Sequence, residues 1–340
     1  MTDCLLLIIT VATSCFFTWI LRRYAISRSM LDIPNIRSSH SLPTPRGGGV
    51  AIVVAFIGSL GCAYFADRIP LALIASVACA GGLIAVVGFL DDHGHVAARW
   101  RLLAHGIGAA LTLLFLGGLP PMQIGSLMIE PALLRNVLGV FYLVWMLNLY
   151  NFMDGIDGLA CTEAVSACLG ISILYFVSGY GALVVGPMIL VAAVIGFFIW
   201  NFPPAKIFMG DAGSGFLGFT LATLAVYSAW SDQKFFWAWN ILLGLFIVDS
   251  TFTLIRRCFR GEKIYEAHRS HAYQSAAREM GSHLHVTVGV AVINIFWLLP
   301  IATLVVVFDL SGFFATVLAY LPLVLLVARY RAGLPEAAGH

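Results

Sequence analysis

The chain has 340 residues, of which 60% are hydrophobic and only 11% are charged, and its mean hydropathy is +0.93. A soluble domain of this length does not have so apolar a composition, so the sequence predicts an integral membrane protein. The net charge of +2 gives no indication of nucleic-acid binding, and the seven cysteines form no C-x-x-C pair, which argues against a disulfide framework or a zinc site.

Apolar runs of membrane length follow one another along the whole chain. The first has no basic residues ahead of it and is about long enough to cross a bilayer, so we interpret it as a retained helix and not as a signal peptide. The predicted fold is all-α, a polytopic membrane protein of about eleven transmembrane helices in a single membrane domain over residues 1–340. The predicted spans are 4–21, 48–66, 70–90, 102–119, 133–150, 158–178, 182–200, 213–230, 235–255, 286–307 and 311–328.

The connections between these spans differ strongly in charge. If the connection after the first span is cytoplasmic, sixteen of the 19 Lys and Arg residues lie on that side, many of them in a long loop at 256–285 between the ninth and tenth spans. Cytoplasmic connections of membrane proteins carry the excess of Lys and Arg. The sequence therefore predicts a multi-pass protein of a bacterial inner membrane with its N-terminus periplasmic and its C-terminus cytoplasmic.

The first long connection, before the second span, combines prolines with Arg46 and three glycines at 47–49. Prolines stiffen such a segment, and glycines let the backbone approach a ligand closely. The alternative is that it forms only a tight entry into the second span.

Adjacent carboxylates, Asp91 and Asp92, end the third span on the predicted cytoplasmic side. Further along, Arg101 offers a guanidinium group that can bind a phosphate through two parallel hydrogen bonds. Alternatively, Arg101 is a positive-inside anchor beside Trp100 of an aromatic belt.

A polar cluster interrupts the apolar pattern at residues 148–160, between the fifth and sixth spans. It contains Asn148, Asn151, Asp154 and Asp157, together with two glycines that let the backbone leave the helix. Acids beside hydrocarbon are costly unless they face a wet cavity, a partner or a metal, so the cluster predicts a functional site. An ordinary polar turn is the alternative.

Asp211 belongs to a Gly-Asp-x-Gly-Ser turn that enters the eighth span, three residues after Phe208. Free amide groups and the positive end of the helix dipole would lie beside one carboxylate, which suits a complex of a metal with a diphosphate. The alternative is a glycine-rich helix start without a ligand.

The loop at 256–285 carries His268, Arg269 and His271 among further cations. We interpret this group as facing a phosphate. A transition-metal site and a solvated basic loop are the alternatives.

All these clusters lie on one predicted side of the membrane. A cytoplasmic group of acids ringed by Arg and Lys suits a site for a divalent cation and a phosphorylated substrate. A coupled transporter more often places its acids near the bilayer midplane and has a repeat in its two halves, and neither feature is visible in the sequence.

These motifs resemble those of the polyprenyl-phosphate N-acetylhexosamine-1-phosphate transferases, and the resemblance covers the eleven predicted spans in order. It is carried by Asp91-Asp92, the 148–160 cluster, the segment from Phe208 to Ser214 and the loop with His268 and His271. Segments 34–49 and 261–271 are most similar to the O-antigen-initiating branch, which uses UDP-6-deoxy-N-acetylhexosamines.

The resemblance implies transfer of an N-acetylhexosamine-1-phosphate from a UDP-sugar to undecaprenyl phosphate, which gives undecaprenyl-diphosphate-sugar and UMP and initiates synthesis of O-antigen or a related envelope glycan. Mg²⁺, or Mn²⁺ in its place, is the implied cofactor, the lipid bilayer is the implied surrounding, and homodimerisation is left open. The implied site residues are Asp91 and Asp92 as catalytic groups, Asn151 and Asp211 as metal ligands, and Asn148, Asp154, Asp157, Phe208, Arg101, His268, Arg269, His271 and Arg46 as substrate-binding groups, with Asp157 and Phe208 at the uracil.

The sequence departs from the family pattern at His95, where some members have Lys or Asn, and at 268–271, where other branches have adjacent histidines. The sugar contacts are therefore open. Two alternative functions remain: a transporter or flippase for an anionic lipid, which would release no UMP, and the same chemistry with UDP-N-acetylglucosamine in another envelope polymer.

Overall fold

The computed structural model describes residues 3–34, 42–94, 96–262 and 268–334. Residues 35–41, His95 and residues 263–267, which belong to the sequence motifs, lie outside the described part. The regular structure within it is almost entirely helical. In chain order the helices are α1 (Asp3–Ser27), α2 (Val50–Phe65), α3 (Leu71–His93), α4 (Ala98–Leu116), α5 (Ala132–Met153), α6 (Leu159–Val177), α7 (Gly181–Asn201), α8 (Asp211–Ala229), α9 (Gln233–Leu242), α10 (Gly244–Phe259), α11 (Ala272–Met280), α12 (His283–Val306) and α13 (Gly312–Arg329).

The predicted fold class is confirmed, and each of the eleven predicted spans falls on a helix or a pair of helices. Among the described residues, eight helices are long and apolar enough to cross a membrane, or nine if α9 and α10 count as one bent span. The two predicted spans that are not counted among these nine are α2 and α4. Helix α2 has only 16 residues, and α4 carries Arg99 and Arg101 in its first turn.

The ninth predicted span is broken into α9 and α10, whose axes differ by 68°. The break exposes amide groups at the start of α10, and inside a membrane such groups need protein partners. Glu163 on α6 is fully buried near the Phe246 amide, and its Oε2 accepts a hydrogen bond from Asn294 Nδ2 at 2.7 Å. A buried acid therefore lies beside the bend and ties α6 to α12.

Helix α8 lies at the centre of the bundle. Its most apolar stretch is 94% buried, against 61% for α6 and α7, and it packs mainly against α3 and α5. The helix can approach α5 so closely because Gly218 has no side chain: a Cβ there would lie 2.5 Å from Tyr150 Cβ. Central packing fixes the position of the N-terminus of α8, where Asp211 is found.

Two short antiparallel strand pairs complete the structure: β1 (Leu31–Asp32) with β2 (Thr44–Pro45), and β3 (Met122–Ile124) with β4 (Leu127–Ile129). The first pair lies in the connection between α1 and α2. The predicted loop at 256–285 contains α11 and the first turn of α12.

The predicted orientation can be tested with cysteines introduced at opposite ends of the bundle. We expect Glu279→Cys, exposed on α11, to react with an impermeant maleimide only from the cytoplasmic side, and Gly125→Cys, in the β3–β4 turn, only from the other side. Labelling of intact spheroplasts and inverted vesicles checks this, in a protein whose exposed cysteines are replaced by serine. The reverse pattern would contradict the charge-based orientation.

Candidate active site

A cavity of about 270 Å³ lies where the connections at one end of the bundle meet, and we call it the acidic cavity. Among the described residues, five aspartates line it, whereas Arg46 is the one arginine. An anionic substrate entering this cavity would meet a surplus of negative charge. Its lining comprises Asp32, Arg46, Asp92, Asn151, Asp154, Gly155, Ile156, Asp157, Asn201, Phe208, Met209, Gly210, Asp211, Ser214, Gln274 and His283.

Asp92 joins the end of α3 to the start of α8. Its carboxylate accepts hydrogen bonds from the amides of Asp211 at 3.2 Å and Ala212 at 3.3 Å, so it occupies the positive end of the α8 dipole. Gly210, just before Asp211, has φ +76°, and a side chain at Gly210 would collide with Asp92. The Gly-Asp turn thus provides room for a carboxylate of the protein itself.

The glycines of the first connection approach the segment before α8 and not a ligand. The amide of Gly48 donates to the Phe208 carbonyl at 3.0 Å, and that of Gly49 donates to the Met209 carbonyl at 2.8 Å. A Cβ at Gly49 would overlap the Gly213 backbone. Of the two readings of this connection, the structure supports a tight entry into the second span.

This close pairing places Arg46 at the cavity wall. Its Nη2 donates to the Asp92 carbonyl at 2.6 Å.

Asp211 begins α8 and lies between two side chains from other helices. Asn151 Nδ2 on α5 donates to Asp211 Oδ1 at 3.1 Å and lies 3.2 Å from Ser214 Oγ. Arg101 Nη1 on α4 lies 3.5 Å from Asp211 Oδ2. The two residues that the sequence analysis assigns to a metal are therefore direct neighbours.

Asp91 contacts the site through Arg101. Arg101 Nη1 lies 2.5 Å from Asp91 Oδ2, and the Val96 amide donates to Asp91 Oδ1 at 2.8 Å. The guanidinium group thus lies between two carboxylates, Asp91 and Asp211. Trp100 beside it is exposed.

A second cavity, of about 420 Å³, opens between α3, α4 and α5, and we call it the apolar cavity. Its polar lining groups are Arg101, His105, Asn148, Asn151 and Asp211, and the other lining residues are almost all apolar. Asn151 and Asp211 line the acidic cavity as well. Two cavities of opposite character therefore meet at these two residues.

The turn between α5 and α6 contributes Asp154 and Asp157. Burial, together with the negative charges of Asp211, Asp92 and Asp157, raises the pKa of Asp154 well above its usual range. Gly158 has φ +74°, and its amide donates to Asn201 Oδ1 at 3.0 Å. The turn is thus held in place by protein contacts, and the Gly158 amide does not face a ligand.

A third cavity, of about 690 Å³, adjoins the acidic one, and we call it the basic cavity. Asp157, Phe208, Gln274 and His283 line both cavities. Arg269 and Arg278 contribute to the basic cavity alone. Asp157 and Phe208, the predicted uracil contacts, therefore lie where these two cavities join.

His271 lies away from these three cavities, buried against Asp249. Its Nδ1 is 3.3 Å from Asp249 Oδ1, and Asp249 also accepts the amides of Ala272 at 2.9 Å and Tyr273 at 3.0 Å. His268 stacks on His271 with ring centroids 4.8 Å apart. The His271 side chain thus holds the start of α11 and lines none of these three cavities.

Asn201, Gln274 and His283 are among the lining residues of the acidic cavity that the sequence analysis did not assign to the site. Asn201 ends α7, and its Nδ2 donates to the Ile207 carbonyl at 3.0 Å. A polar residue at the end of an apolar run was its only signal in the sequence. Gln274 and His283 belong to the 256–285 segment, where the sequence did not distinguish them from the residues of a solvated loop.

The acidic residues do not form a closed metal cage. Within the described ranges, no three His, Cys, Asp or Glu side chains are grouped as ligands for one metal ion.

Comparison with known proteins agrees with the geometry. Residues 71–229, which include α3 to α8, match the model of glycosyl transferase family 4. A probable undecaprenyl-phosphate N-acetylglucosaminyl 1-phosphate transferase of Bacillus subtilis is 29% identical over 274 residues, 78% of this chain and 75% of the relative.

Two further relatives are similar to this chain. An undecaprenyl-phosphate alpha-N-acetylglucosaminyl 1-phosphate transferase of Thermotoga maritima is 28% identical over 79% of this chain and 80% of its own length. A phospho-N-acetylmuramoyl-pentapeptide-transferase of Streptococcus thermophilus is 33% identical over 57% of this chain and 61% of its own length. The matched segment contains Asp91, Asp92, Arg101, Asn151 and Asp211, which the fold brings together. The chain is therefore a multi-pass membrane enzyme, and its residues 71–229 are similar to glycosyl transferase family 4.

Proposed function

We propose that the enzyme transfers an N-acetylhexosamine-1-phosphate from a UDP-sugar to a polyprenyl phosphate. An oxygen of the lipid phosphate forms a bond to the sugar-bearing phosphorus of the donor. The bond between that phosphorus and the oxygen of UMP breaks, and UMP leaves with the bonding electrons. The products are a polyprenyl-diphosphate-sugar and UMP.

The observation that carries this proposal is the shared position of Asn151 and Asp211. They line both the acidic cavity and the apolar cavity, which opens between α3, α4 and α5. A reaction between a water-soluble nucleotide-sugar and a lipid phosphate requires such a junction, because the two phosphates have to meet while one substrate keeps its chain in hydrocarbon. Arg101 lies at the junction and suits the lipid phosphate.

Mg²⁺ is the proposed cofactor, and the donor groups fit it. Ionised aspartates around the acidic cavity would repel a diphosphate unless a cation offsets their charge. Mg²⁺ is commonly bound by one or two carboxylates together with substrate phosphates, so the absence of a closed cage among the described residues is consistent with it. Asp211 and the Asn151 amide would hold the ion, which neutralises charge on the diphosphate.

Asp91 and Asp92 have different positions, and we assign them different tasks. Asp91 orients Arg101, and Asp92 holds the N-terminus of α8 and hence Asp211. A phosphate monoester is largely dianionic at pH 7, because its second pKa is about 6. The acceptor therefore gains little from a general base and more from alignment beside neutralised charge.

The donor is proposed to be a UDP-6-deoxy-N-acetylhexosamine, and the pathway O-antigen synthesis, on the similarity of segments 34–49 and 261–271 to that branch. The relatives named above are described by their N-acetylglucosamine or N-acetylmuramoyl-pentapeptide substrates. UDP-N-acetylglucosamine is therefore the competing donor.

Purified protein with undecaprenyl phosphate and a panel of UDP-sugars tests the proposal. We expect UMP and a lipid-diphosphate product to form in equal amounts, and only with Mg²⁺ or Mn²⁺ present. Undecaprenol, which lacks the phosphate, should give neither product. Lipid movement across vesicles without UMP release would indicate a flippase and reject the proposed reaction.

The uracil assignment gives a separate expectation. Asp157→Ala and Phe208→Ala should each raise the donor KM by roughly tenfold and lower kcat much less, because contacts far from phosphorus are similar in the ground and transition states. Initial rates over a range of donor concentrations measure both constants. Phe202→Ala, an exposed aromatic outside the cavity linings, is the control. Unchanged donor KM in both site variants would count against this assignment.

A further inference from the structure

The Asp157 turn is anchored by segments that its sequence motif does not include. The Ala205 amide donates to Asp157 Oδ2 at 3.0 Å. On α12, the Thr287 hydroxyl donates to the Asp157 carbonyl, also at 3.0 Å. His283, the first residue of α12, places Nδ1 3.4 Å from Asp157 Oδ1 and 3.4 Å from the Asp157 amide nitrogen. The start of α12 therefore contacts both the backbone and the carboxylate of Asp157.

The ring nitrogen of His283 has a useful partner in either protonation state. A protonated Nδ1 donates to the Asp157 carboxylate, and an unprotonated Nδ1 accepts from the Asp157 amide. Because both partners belong to one residue, the imidazole restrains Asp157 in both forms.

The position of His283 relates this restraint to the substrate. The side chain lines both the acidic and the basic cavity, as do Asp157, Phe208 and Gln274. It is 20% exposed and Asp157 is 12% exposed, so both groups are mostly packed but reach the cavity wall. A carboxylate that binds a ligand is most effective when other side chains hold it in the bound orientation.

We propose that His283 is a positioning residue for the nucleotide-sugar donor, one that holds the Asp157 carboxylate ready for the uracil. This inference rests on the proposed function. It adds α12 to the donor site and explains why a histidine begins this helix.

The test compares His283→Ala, His283→Asn and His283→Gln with a matched histidine on the same helix turn, His285→Ala. His285 is exposed and lines neither cavity. We expect His283→Ala to raise the donor KM about tenfold with kcat within about twofold of wild type and with no change in the KM of the lipid acceptor. Asn places an amide group where Nδ1 was, so it should restore most of the donor affinity, whereas Gln, which mimics Nε2, should behave like Ala.

The kinetic constants separate this proposal from a packing role. A lower melting temperature of His283→Ala with a normal donor KM, or an equal rise in both KM values, would overturn it, as would an Asn variant as impaired as the Ala variant. If His283→Ala fails to fold, the Asn and Gln variants decide. Wild-type turnover with an unaltered donor KM in the variants rejects the role of His283 alone, whereas a wild type that releases no UMP rejects the proposed function and this inference with it.

Discussion

Replacing Asp211 by Asn should reduce turnover by about a hundredfold or more. The substitution keeps the volume and one oxygen but removes the charge that holds a hard cation. Charge neutralisation at a transferring phosphoryl group contributes several kcal/mol, and each 1.36 kcal/mol corresponds to about tenfold in rate. Steady-state UMP release over a range of Mg²⁺ concentrations measures the loss, and raised Mg²⁺ or Mn²⁺ should recover part of the rate.

The fold of the Asp211→Asn protein should survive. The Asp211 side chain is 37% exposed, and its partners Asn151 and Arg101 remain within reach of an amide oxygen. Melting in detergent should therefore stay close to wild type. Asp309→Asn, an exposed acid in the connection between α12 and α13, serves as the control and should keep full activity. Wild-type turnover with an unaltered Mg²⁺ requirement in Asp211→Asn would mean that the cation is held elsewhere.

The positions of the helices could be predicted because run length and hydropathy are local properties of the chain. The bend between α9 and α10 could not. It lies beside Glu163, which is far from Phe246 in sequence and approaches its amide only in the folded bundle. Hydropathy also treats α2 and α4 as ordinary spans, although one is short and the other begins with arginines.

Much of the cavity lining could be predicted because the connections that carry the polar motifs come to one end of the bundle. Asn151, Asp154, Asp157 and Asp211 meet there, as expected from a shared side of the membrane. The sequence could not distinguish a histidine that lines a cavity from one that holds the start of a helix. His283 and His271 lie in the same basic segment, and only their tertiary partners separate them.

The roles of the glycines could not be predicted from the sequence for the same reason. Gly49 was expected either to face a ligand or to form a tight helix entry, and a close approach between backbones requires the same small residue as a close approach to a ligand. The pairing of Gly49 with Gly213 becomes visible only when α8 is packed in the centre of the bundle.

Asp249 differs from Asp211 because its role is structural. Its carboxylate is 2% exposed and accepts hydrogen bonds from the Ala272 and Tyr273 amides, with Thr253 Oγ1 at 3.1 Å and His271 Nδ1 at 3.3 Å. The first two donors are the free amides at the start of α11. One carboxylate therefore attaches α11 to α10.

This attachment extends to the turn between α5 and α6. The Tyr273 hydroxyl donates to the Phe152 carbonyl at 2.9 Å and lies where a side chain at Gly155 would be. Burial and the nearby charges of Asp249 and Asp154 raise the pKa of Tyr273 well above its usual range, so its hydroxyl stays protonated as a donor.

Asp249→Ala should accordingly destabilise the protein strongly, by about 3–5 kcal/mol, because it leaves several buried donors without an acceptor at once. A chain of this size should then melt about 4–7 °C lower in detergent. Asp249→Asn keeps one acceptor oxygen and should lose roughly half as much. Glu279→Gln is the matched control on α11: its side chain is 56% exposed and pairs with Arg329 at 3.6 Å, so melting should not change measurably. The Mg²⁺ concentration that gives half-maximal activity should stay at the wild-type value in Asp249→Asn. If that concentration rises while the melting temperature does not fall, Asp249 acts on the metal, and the attachment of α11 to α10 does not depend on it.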